Sequence, residues 1–327
     1  MNVLHVRAPR AAACLAAGAL ALGIAACGSS SDSGSGSAGT TGGGDGGSGS
    51  VGVTVMNATN PFFKAEEQGA EAAGKALGID VKLQNGNQDV AEQSDVIDSF
   101  IQQKVAGIVI DPVDTDAVGP AVKRATDAGI PVVAIDNDAK GADATLTTDN
   151  VQAGRISCRY LGEQLRGEGA IALLNGTPIS AVADRIRGCR EALADFPGIE
   201  IVADQRGDNG RDKGLAVATD ILTAHPEVRG FFAINDPTAA GIELAAKQKG
   251  RDDIVITSVD GAGDAIDSIR DGGLIRATAA QDPIGMGRRG VELARELAAG
   301  RAPARRVQLM PTTLVTADNA DTYRGWD

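Results

Sequence analysis

The chain has 327 residues, a formal net charge of −12 at pH 7 and only two His. This acidic balance argues against a nucleic-acid-binding protein, which needs clustered Lys and Arg, and against a protein that lies on anionic lipid through its own surface. So few His also argue against a Ser-His-Asp or Cys-His catalytic site and against a His-rich metal site.

The N-terminus has the features of a bacterial lipoprotein signal peptide over residues 1–26. Arg7 and Arg10 form a basic region, and residues 11–26 are almost wholly Ala, Leu, Gly and Ile. This apolar run is shorter than the roughly 20 residues that a membrane-spanning helix needs, so we interpret it as a secretory signal. It ends at Cys27 after two Ala, which resembles a lipobox, and we expect a diacylglycerol on Cys27. Ordinary signal cleavage nearby is the alternative.

Residues 27–50 are predicted to be the lipidated Cys and a flexible tether. Gly and Ser dominate this stretch, and it has no apolar groups to repay the entropy of ordering. The folded body is therefore residues 51–327, enough for about two domains.

The body contains Cys158 and Cys189, and on the exported side of a membrane such a pair favours a disulfide over a metal site. Two separate buried thiols are the alternative.

Short β-rich runs alternate with helical runs from Val51 to the end of the chain. Strands are predicted at 51–56, 79–83, 105–110, 131–135, 145–147, 170–175, 200–203, 230–234, 254–259 and 274–280, with a final strand near 306–315. Helices are predicted at 61–77, 89–103, 115–128, 150–166, 180–195, 211–224, 237–248, 262–271 and 284–299. The alternation predicts βαβ units and parallel sheets, and so many strands indicate two doubly wound α/β lobes with a cleft between them.

Residues 285–290 match the letters G-x-G-x-x-G of a dinucleotide-binding turn. The turn before them is formed by residues 281–283, so these glycines fall inside the following helix. A nucleotide site needs the first Gly in the turn itself, where the backbone meets the pyrophosphate. We therefore interpret the glycines as positions where the helix packs closely on the sheet, and we expect no cofactor.

A stiff turn follows the first strand at Asn60-Pro61-Phe62-Phe63. Pro61 fixes its own φ and restricts Asn60 to extended conformations. The turn presents an amide and two aromatic rings at the carboxyl end of a sheet, where open α/β folds bind ligands. The alternative is a hydrophobic staple that docks the helix on the core.

Other predicted strands also end in polar residues, namely Asp136, Asn137, Asn235, Asp260 and Gln281. Each one alone is explained by helix capping or turn formation. Taken together they predict a shared site, because carboxyl ends of parallel strands meet at one edge. Amides and carboxylates bind sugar hydroxyl groups, and aromatic rings cover the C–H face of a sugar. No nucleophile stands beside a catalytic base, so we expect a binding protein and not an enzyme.

These motifs resemble the ribose-binding-protein-like branch of the bacterial type I periplasmic solute-binding proteins, the capture components of ABC sugar importers. The resemblance runs over essentially all of 51–327. It rests on blocks at 60–63, 111–112, 114–118, 130–132, 148–150, 184–188, 222–226, 235–236 and 259–261, and on Gln281.

The resemblance implies a role for each site residue. Phe62 and Phe63 would stack on the sugar ring and Asn60 would bond a hydroxyl group, while Asp136 would bind hydroxyls from the first lobe. From the second lobe, Arg185 would clamp the sugar. It would be joined there by Asn235, Asp260 and Gln281.

Three positions depart from the ribose binders. Asn137 stands where they carry an Arg, Asn209 replaces an aromatic residue, and Met56 replaces a small hydroxyl residue. These changes alter hydrogen bonding and cavity shape, so the resemblance does not imply ribose itself. Residues 235–237 and 258–261 are similar to fructose-type binders.

The family's hinge implies chain crossings near 148–149, 281–282 and 310–311. The first lobe would be 51–148 with 283–310, and the second 149–282 with 311–327.

The implied protein is a monomer anchored by lipid to the outer face of the cell membrane. It would capture a ribose- or fructose-like monosaccharide, or a related polyol, for the transmembrane subunits of an ABC permease with a cytoplasmic ATPase. The alternatives are a protein that senses a sugar or binds a signalling molecule and acts on a receptor, and, after it, a sugar-modifying enzyme.

Overall fold

The computed structural model describes residues 49–57 and 59–326. The predicted signal peptide, the lipidation candidate Cys27 and nearly all of the predicted tether lie outside these residues. Within the described ranges, no helix combines the length and apolar character required to cross a bilayer.

The first sheet has six parallel strands in the order β11-β5-β4-β3-β1-β2. Its strands are β1 (Val51–Val55), β2 (Val81–Asn85), β3 (Gly107–Ile110), β4 (Val132–Ile135), β5 (Ala144–Thr148) and β11 (Val307–Met310). The helices that follow or join these strands are α1 (Pro61–Leu77), α2 (Val90–Gln102), α3 (Gly119–Asp127) and α9 (Pro283–Ala298).

The second sheet has the order β12-β10-β9-β8-β6-β7 and is parallel except for β12, which runs antiparallel to β10. Its strands are β6 (Glu168–Asn175), β7 (Gly198–Arg206), β8 (Val228–Ala233), β9 (Val255–Asp260), β10 (Ile275–Ala280) and β12 (Thr313–Thr316). Its helices are α4 (Asn150–Gln164), α5 (Ser180–Leu193), α6 (Arg211–Ala224), α7 (Asp236–Gln248) and α8 (Gly263–Arg270). The predicted class of two doubly wound α/β lobes is confirmed.

Two predicted elements were wrong beyond small shifts, and the bounds of the others lie within three residues of the prediction. The single strand near 306–315 is two strands, β11 and β12, which belong to different sheets and are separated at Pro311-Thr312. Helix α3 begins at Gly119 and not at residue 115, because Asp114 Oδ1 accepts hydrogen bonds from the backbone N–H groups of Asp116 and Ala117. That side chain stabilises a turn in place of the first helical turn.

The chain passes between the sheets at three neighbouring segments. Asp149 N donates to Met310 O over 2.9 Å, which joins the first crossing to the third. Thr312 Oγ1 donates to Ala280 O over 2.8 Å, which joins the third crossing to the second. The ends of β5, β10 and β11 therefore meet where the two lobes are connected.

Glycines allow two helix pairs to pack closely. Gly287 of α9 lies against the backbone of Glu66 in α1, and Gly154 of α4 lies against the backbone of Arg185 in α5. A Cβ at either position would collide with backbone atoms. The interpretation of the 285–290 glycines as packing positions is confirmed for Gly287, which meets a helix, and for Gly290, which lies against the sheet. Gly285 lies against the side chain of Asp282, the cap of its own helix.

Cys158 of α4 and Cys189 of α5 form the predicted disulfide, with their Cα atoms 5.0 Å apart. Both residues are fully buried. The bond joins the same two helices that pack through Gly154, so it holds together the pair of helices beside the cleft.

Candidate functional site

A cavity of about 370 Å³ lies between the two lobes, at the carboxyl ends of both sheets. This is the size range of small-molecule sites in proteins. Both lobes supply its walls, which include Met56, Asn60, Phe62, Phe63, Asp136, Thr177, Arg185, Asn209, Asn235, Asp260 and Gln281.

The aromatic wall comes from the first turn of α1. Asn60 caps this helix, since its Oδ1 accepts a hydrogen bond from Phe62 N over 3.0 Å, and Pro61 occupies the first helical position. The Phe62 and Phe63 rings meet edge to face at 5.6 Å, and both are buried. The cap engages the Asn60 oxygen, and Asn60 also lines the cavity.

Arg185 of α5 is only 6% exposed and is held on two sides. Its Nε donates to Asn150 Oδ1 over 2.8 Å, and its Nη1 donates to Ile234 O over 3.0 Å. Nη1 also lies 3.6 Å from Asp260 Oδ1. These bonds fix the plane of the guanidinium, while Nη2 forms no hydrogen bond to any residue that the structure describes.

Hydrogen-bond acceptors dominate the remaining wall. Gln281 Nε2 donates to Asp260 Oδ1 over 2.9 Å, and Asn137 Nδ2 donates to Asp136 Oδ2 over 2.8 Å. Within the described part of the chain, Gln281 Oε1 and Asp136 Oδ1 are buried without a partner. A buried unpaired acceptor is costly, so this wall favours a ligand that brings several donors.

Asn137, predicted as a ligand-binding residue, lies behind the wall and does not line the cavity. It is fully buried, and its Nδ2 donates to both Asp111 and Asp136. Its Oδ1 accepts from Ala181 N of α5 over 3.2 Å. Asn137 therefore orients Asp136 and joins the two lobes.

Asn209 and Asn235 line the cavity with amides that are already engaged. Asn209 Nδ2 donates to Thr177 Oγ1 over 2.9 Å, and its Oδ1 accepts from Thr177 N over 3.3 Å. Asn235 caps α7 by accepting from Thr238 N, and its Nδ2 donates to Asn209 O over 3.1 Å. The structure thus shows the capping role that was the alternative for Asn235.

A group of carboxyls that the sequence analysis missed lies beneath Asp136. Glu66 and Asp111 are fully buried, and neither Glu66 oxygen has a partner among the described residues. Burial raises the pKa of both groups well above its ordinary value, and the neighbouring charge of Asp136 raises each further. Glu66 shares the buried face of α1 with Phe62 and Phe63, and this helical spacing was the available signal.

A second acidic pair lies at the other wall. Burial raises the pKa of Asp260 well above its ordinary value, and Asp236 raises it further, while Arg185 lowers it. Burial also raises the pKa of Asp236 to about 6, although it accepts from Ser258 and Thr278 hydroxyls. Arg185 is thus surrounded by more carboxyls than its single charge can balance.

The Glu66→Gln variant is expected to be more stable than the wild type near pH 7.5, by about 1–2 kcal/mol, because it removes an unpaired buried carboxylate. The pKa of Glu66 lies above its ordinary value of 4.5 in the folded state. The penalty is therefore absent below about pH 4.5, grows as pH rises from that value towards the folded-state pKa, and is constant above it. Urea denaturation at pH 4.5 and pH 7.5 checks this, with the exposed Glu92→Gln as the matched control. A gain that is equal at both pH values would contradict it.

Among residues 49–57 and 59–326, no group of three or more His, Cys, Asp or Glu is arranged to hold a metal ion. The site offers two rings, one guanidinium and several carboxyl and amide oxygens. Such a wall binds a small molecule with an apolar face and many hydroxyl groups.

The chain is similar in sequence to known binding proteins. A family model described as "Periplasmic binding protein domain" matches residues 51–302. The ribose import binding protein of Bacillus subtilis is 34% identical over 255 residues, which cover 77% of this chain and 82% of the relative. A xylitol-binding protein of Mycolicibacterium smegmatis is 29% identical over 277 residues, covering 83% of this chain and 78% of the relative.

The chain is also similar to solved structures of solute-binding proteins. An ABC transporter solute binding protein from Mycobacterium smegmatis with bound glycerol has a TM-score of 0.81 and 29% identity, and the match covers 84% of this chain and 96% of that one. An ABC transporter solute binding protein from Bacillus halodurans with bound myo-inositol has a TM-score of 0.80 and 25% identity, covering 86% and 98%.

Proposed function

The chain belongs to the periplasmic binding protein domain family, and from this premise we propose that it is the solute-binding protein of an ABC sugar importer. It captures a monosaccharide or a related polyol between its lobes and delivers it to the transmembrane subunits of the permease. The observation that carries the proposal is the interlobe cavity, with two Phe rings on one wall and hydrogen-bonding groups on the other. Relatives named for ribose and xylitol, and a solved neighbour with bound myo-inositol, support a polyhydroxylated ligand.

Each wall of the cavity has a distinct role in this proposal. Phe62 and Phe63 cover the C–H face of the ligand. Arg185 donates to a hydroxyl or ring oxygen, and Asp136 and Gln281 accept from hydroxyl groups through oxygens that lack a protein partner within the described residues. The acceptors outnumber the donors, so a neutral ligand fits and an anionic one is repelled.

The proposal extends to the parts of the chain that surround the site. The first lobe is 51–148 with 283–310, and the second is 149–282 with 311–327, with the hinge at the crossings. Closure of this hinge around the ligand signals occupancy to the permease. Lipidation at Cys27 anchors the monomer to the outer face of the cell membrane, and the tether gives the body its reach.

Calorimetry tests the function and the ligand class together. Residues 49–327 are unfolded and refolded to remove carried-over ligand, then titrated with D-ribose, D-fructose, xylitol and myo-inositol. We expect at least one to bind more tightly than about 1 mM, which corresponds to roughly −4 kcal/mol. Acid analogues, such as gluconate against glucitol, are expected to bind more weakly than their neutral partners. No binding by any neutral sugar or polyol would refute the proposed function.

A further inference from the structure

The C-terminal segment after β12 is fastened to the second lobe beside Asp260. Arg270 of α8 holds it, since Nη2 donates to Ala320 O over 2.8 Å and to Tyr323 O over 3.1 Å. The Tyr323 hydroxyl donates to Gly261 O over 3.4 Å. The segment therefore follows the second lobe in any movement of the hinge.

Trp326, near the end of this segment, contacts both walls of the cleft through one side chain. Its Nε1 donates to Asp260 O over 3.0 Å. Its ring meets the Phe62 ring edge to face, with centroids 5.6 Å apart and an interplanar angle of 88°. Phe62 belongs to the first lobe and Asp260 to the second, so Trp326 joins an aromatic group and an acidic residue of the same cavity.

The backbone at Asp260 needs this support. Asp260 has φ 141° and Gly261 has φ 85°, conformations that L residues rarely adopt. Such backbone persists only where the surroundings hold it. Asp260 O accepts from Gln281 N over 2.8 Å as well as from Trp326, and Gly261 O accepts from Tyr323. The C-terminal segment thus helps to fix the turn that places the Asp260 carboxylate in the cavity.

The contact between Trp326 and Phe62 depends on the distance between the lobes. When the hinge opens, the hydrogen bond to Asp260 is kept because both groups move with the second lobe. The edge-to-face contact with Phe62 is lost because that ring moves with the first lobe. The ring pair therefore stabilises only the closed arrangement.

We propose that Trp326 is a positioning residue of the sugar site, which holds the Asp260 turn and closes the cleft by packing on Phe62. This inference rests on the proposed function for its affinity effects, but not for its effect on closure. Because a closed cleft retains its ligand, loss of Trp326 acts mainly on the dissociation rate.

The test uses residues 49–327 and the tightest binder among D-ribose, D-fructose, xylitol and myo-inositol. Trp326→Ala is expected to weaken binding about tenfold through faster dissociation, and Trp326→Phe, which keeps a ring but loses the N–H donor, about threefold. Trp326 is the chain's single Trp, so its emission is expected to change when ligand is added to the wild type. Arg324→Ala, at an exposed neighbouring position, is the matched control and should change neither the sugar affinity nor the dissociation rate.

Small-angle X-ray scattering without sugar tests closure independently of the ligand. The Trp326→Ala protein is expected to have a larger radius of gyration than the wild type, because the open arrangement gains population. Unchanged scattering, or a variant that loses thermal stability with full affinity and an unchanged dissociation rate, would overturn the proposal. If no sugar binds the wild type while the scattering differs as expected, the proposed function fails and the closing role of Trp326 stands.

Discussion

Replacing Arg185 with Ala is expected to weaken sugar binding by about 2–5 kcal/mol, the usual cost of removing one member of a buried charge pair. The variant loses the Nη2 donor and also leaves the Asp260 and Asp136 carboxyls without a cation. Arg185 lowers the pKa of both groups in the wild type, against the larger effect of burial. Its removal therefore favours protonation of the acceptors that the ligand needs.

Calorimetry at pH 7 with the ligand identified in the panel measures this loss. Arg187→Ala is the matched control, since Arg187 lies on the same helix but is exposed and pairs with Asp184. Arg185→Lys should be intermediate, because it keeps the charge and loses the planar fork that reaches Asn150 and Ile234 together. An affinity that is unchanged in Arg185→Ala would remove Arg185 from the site.

Replacing Cys158 and Cys189 together with Ala is expected to lower the free energy of unfolding by about 3–4 kcal/mol, from the entropy that the cross-link removes from the unfolded chain. The bond spans a sequence separation of 31 residues. Urea denaturation measures the loss. Because Gly154 still packs α4 on α5 and Asn150 still holds Arg185, sugar affinity should fall far less than in Arg185→Ala.

A thiol count supplies the check on the disulfide. Unfolded wild-type residues 49–327 should show no titratable thiol without reductant and two after reduction. Two free thiols before reduction would contradict the bridge. The single variant Cys158→Ser separates the loss of the bond from the loss of packing, because it leaves Cys189 in place.

The fold could be predicted because local signals agreed with the tertiary structure. Apolar runs such as 107–110 are fully buried strands, and Pro or Asn marks the start of helices such as α1 and α7. The division of the last strand could not be predicted, since residues 307–310 and 313–316 are both β-rich. They are separate strands because each pairs with the edge of a different sheet, and this depends on the tertiary structure.

The residues that line the cavity were predicted more fully than the hydrogen bonds that they form. The strand-end rule and the resemblance to ribose-binding proteins identified Phe62, Asp136 and Asp260, and the structure gathers them around one cavity. The role of Asn137 depends on Asp111 and on Ala181, which no local pattern connects to it. Trp326 was missed because it reaches the site from a tail 66 residues beyond Asp260.

The placement of β11 also constrains the order in which the protein folds. This strand completes the first sheet by pairing Val307 with Thr145, and α9, which packs on α1, comes immediately after the second lobe's β10. As a ribosome releases the chain, the first lobe lacks a covering helix until α9 has emerged and an edge strand until β11 has emerged. Its final pairing closes a very long loop, which slows folding. Newly made chains therefore remain incompletely folded until β11 is available, a state that suits the export that our proposed function requires.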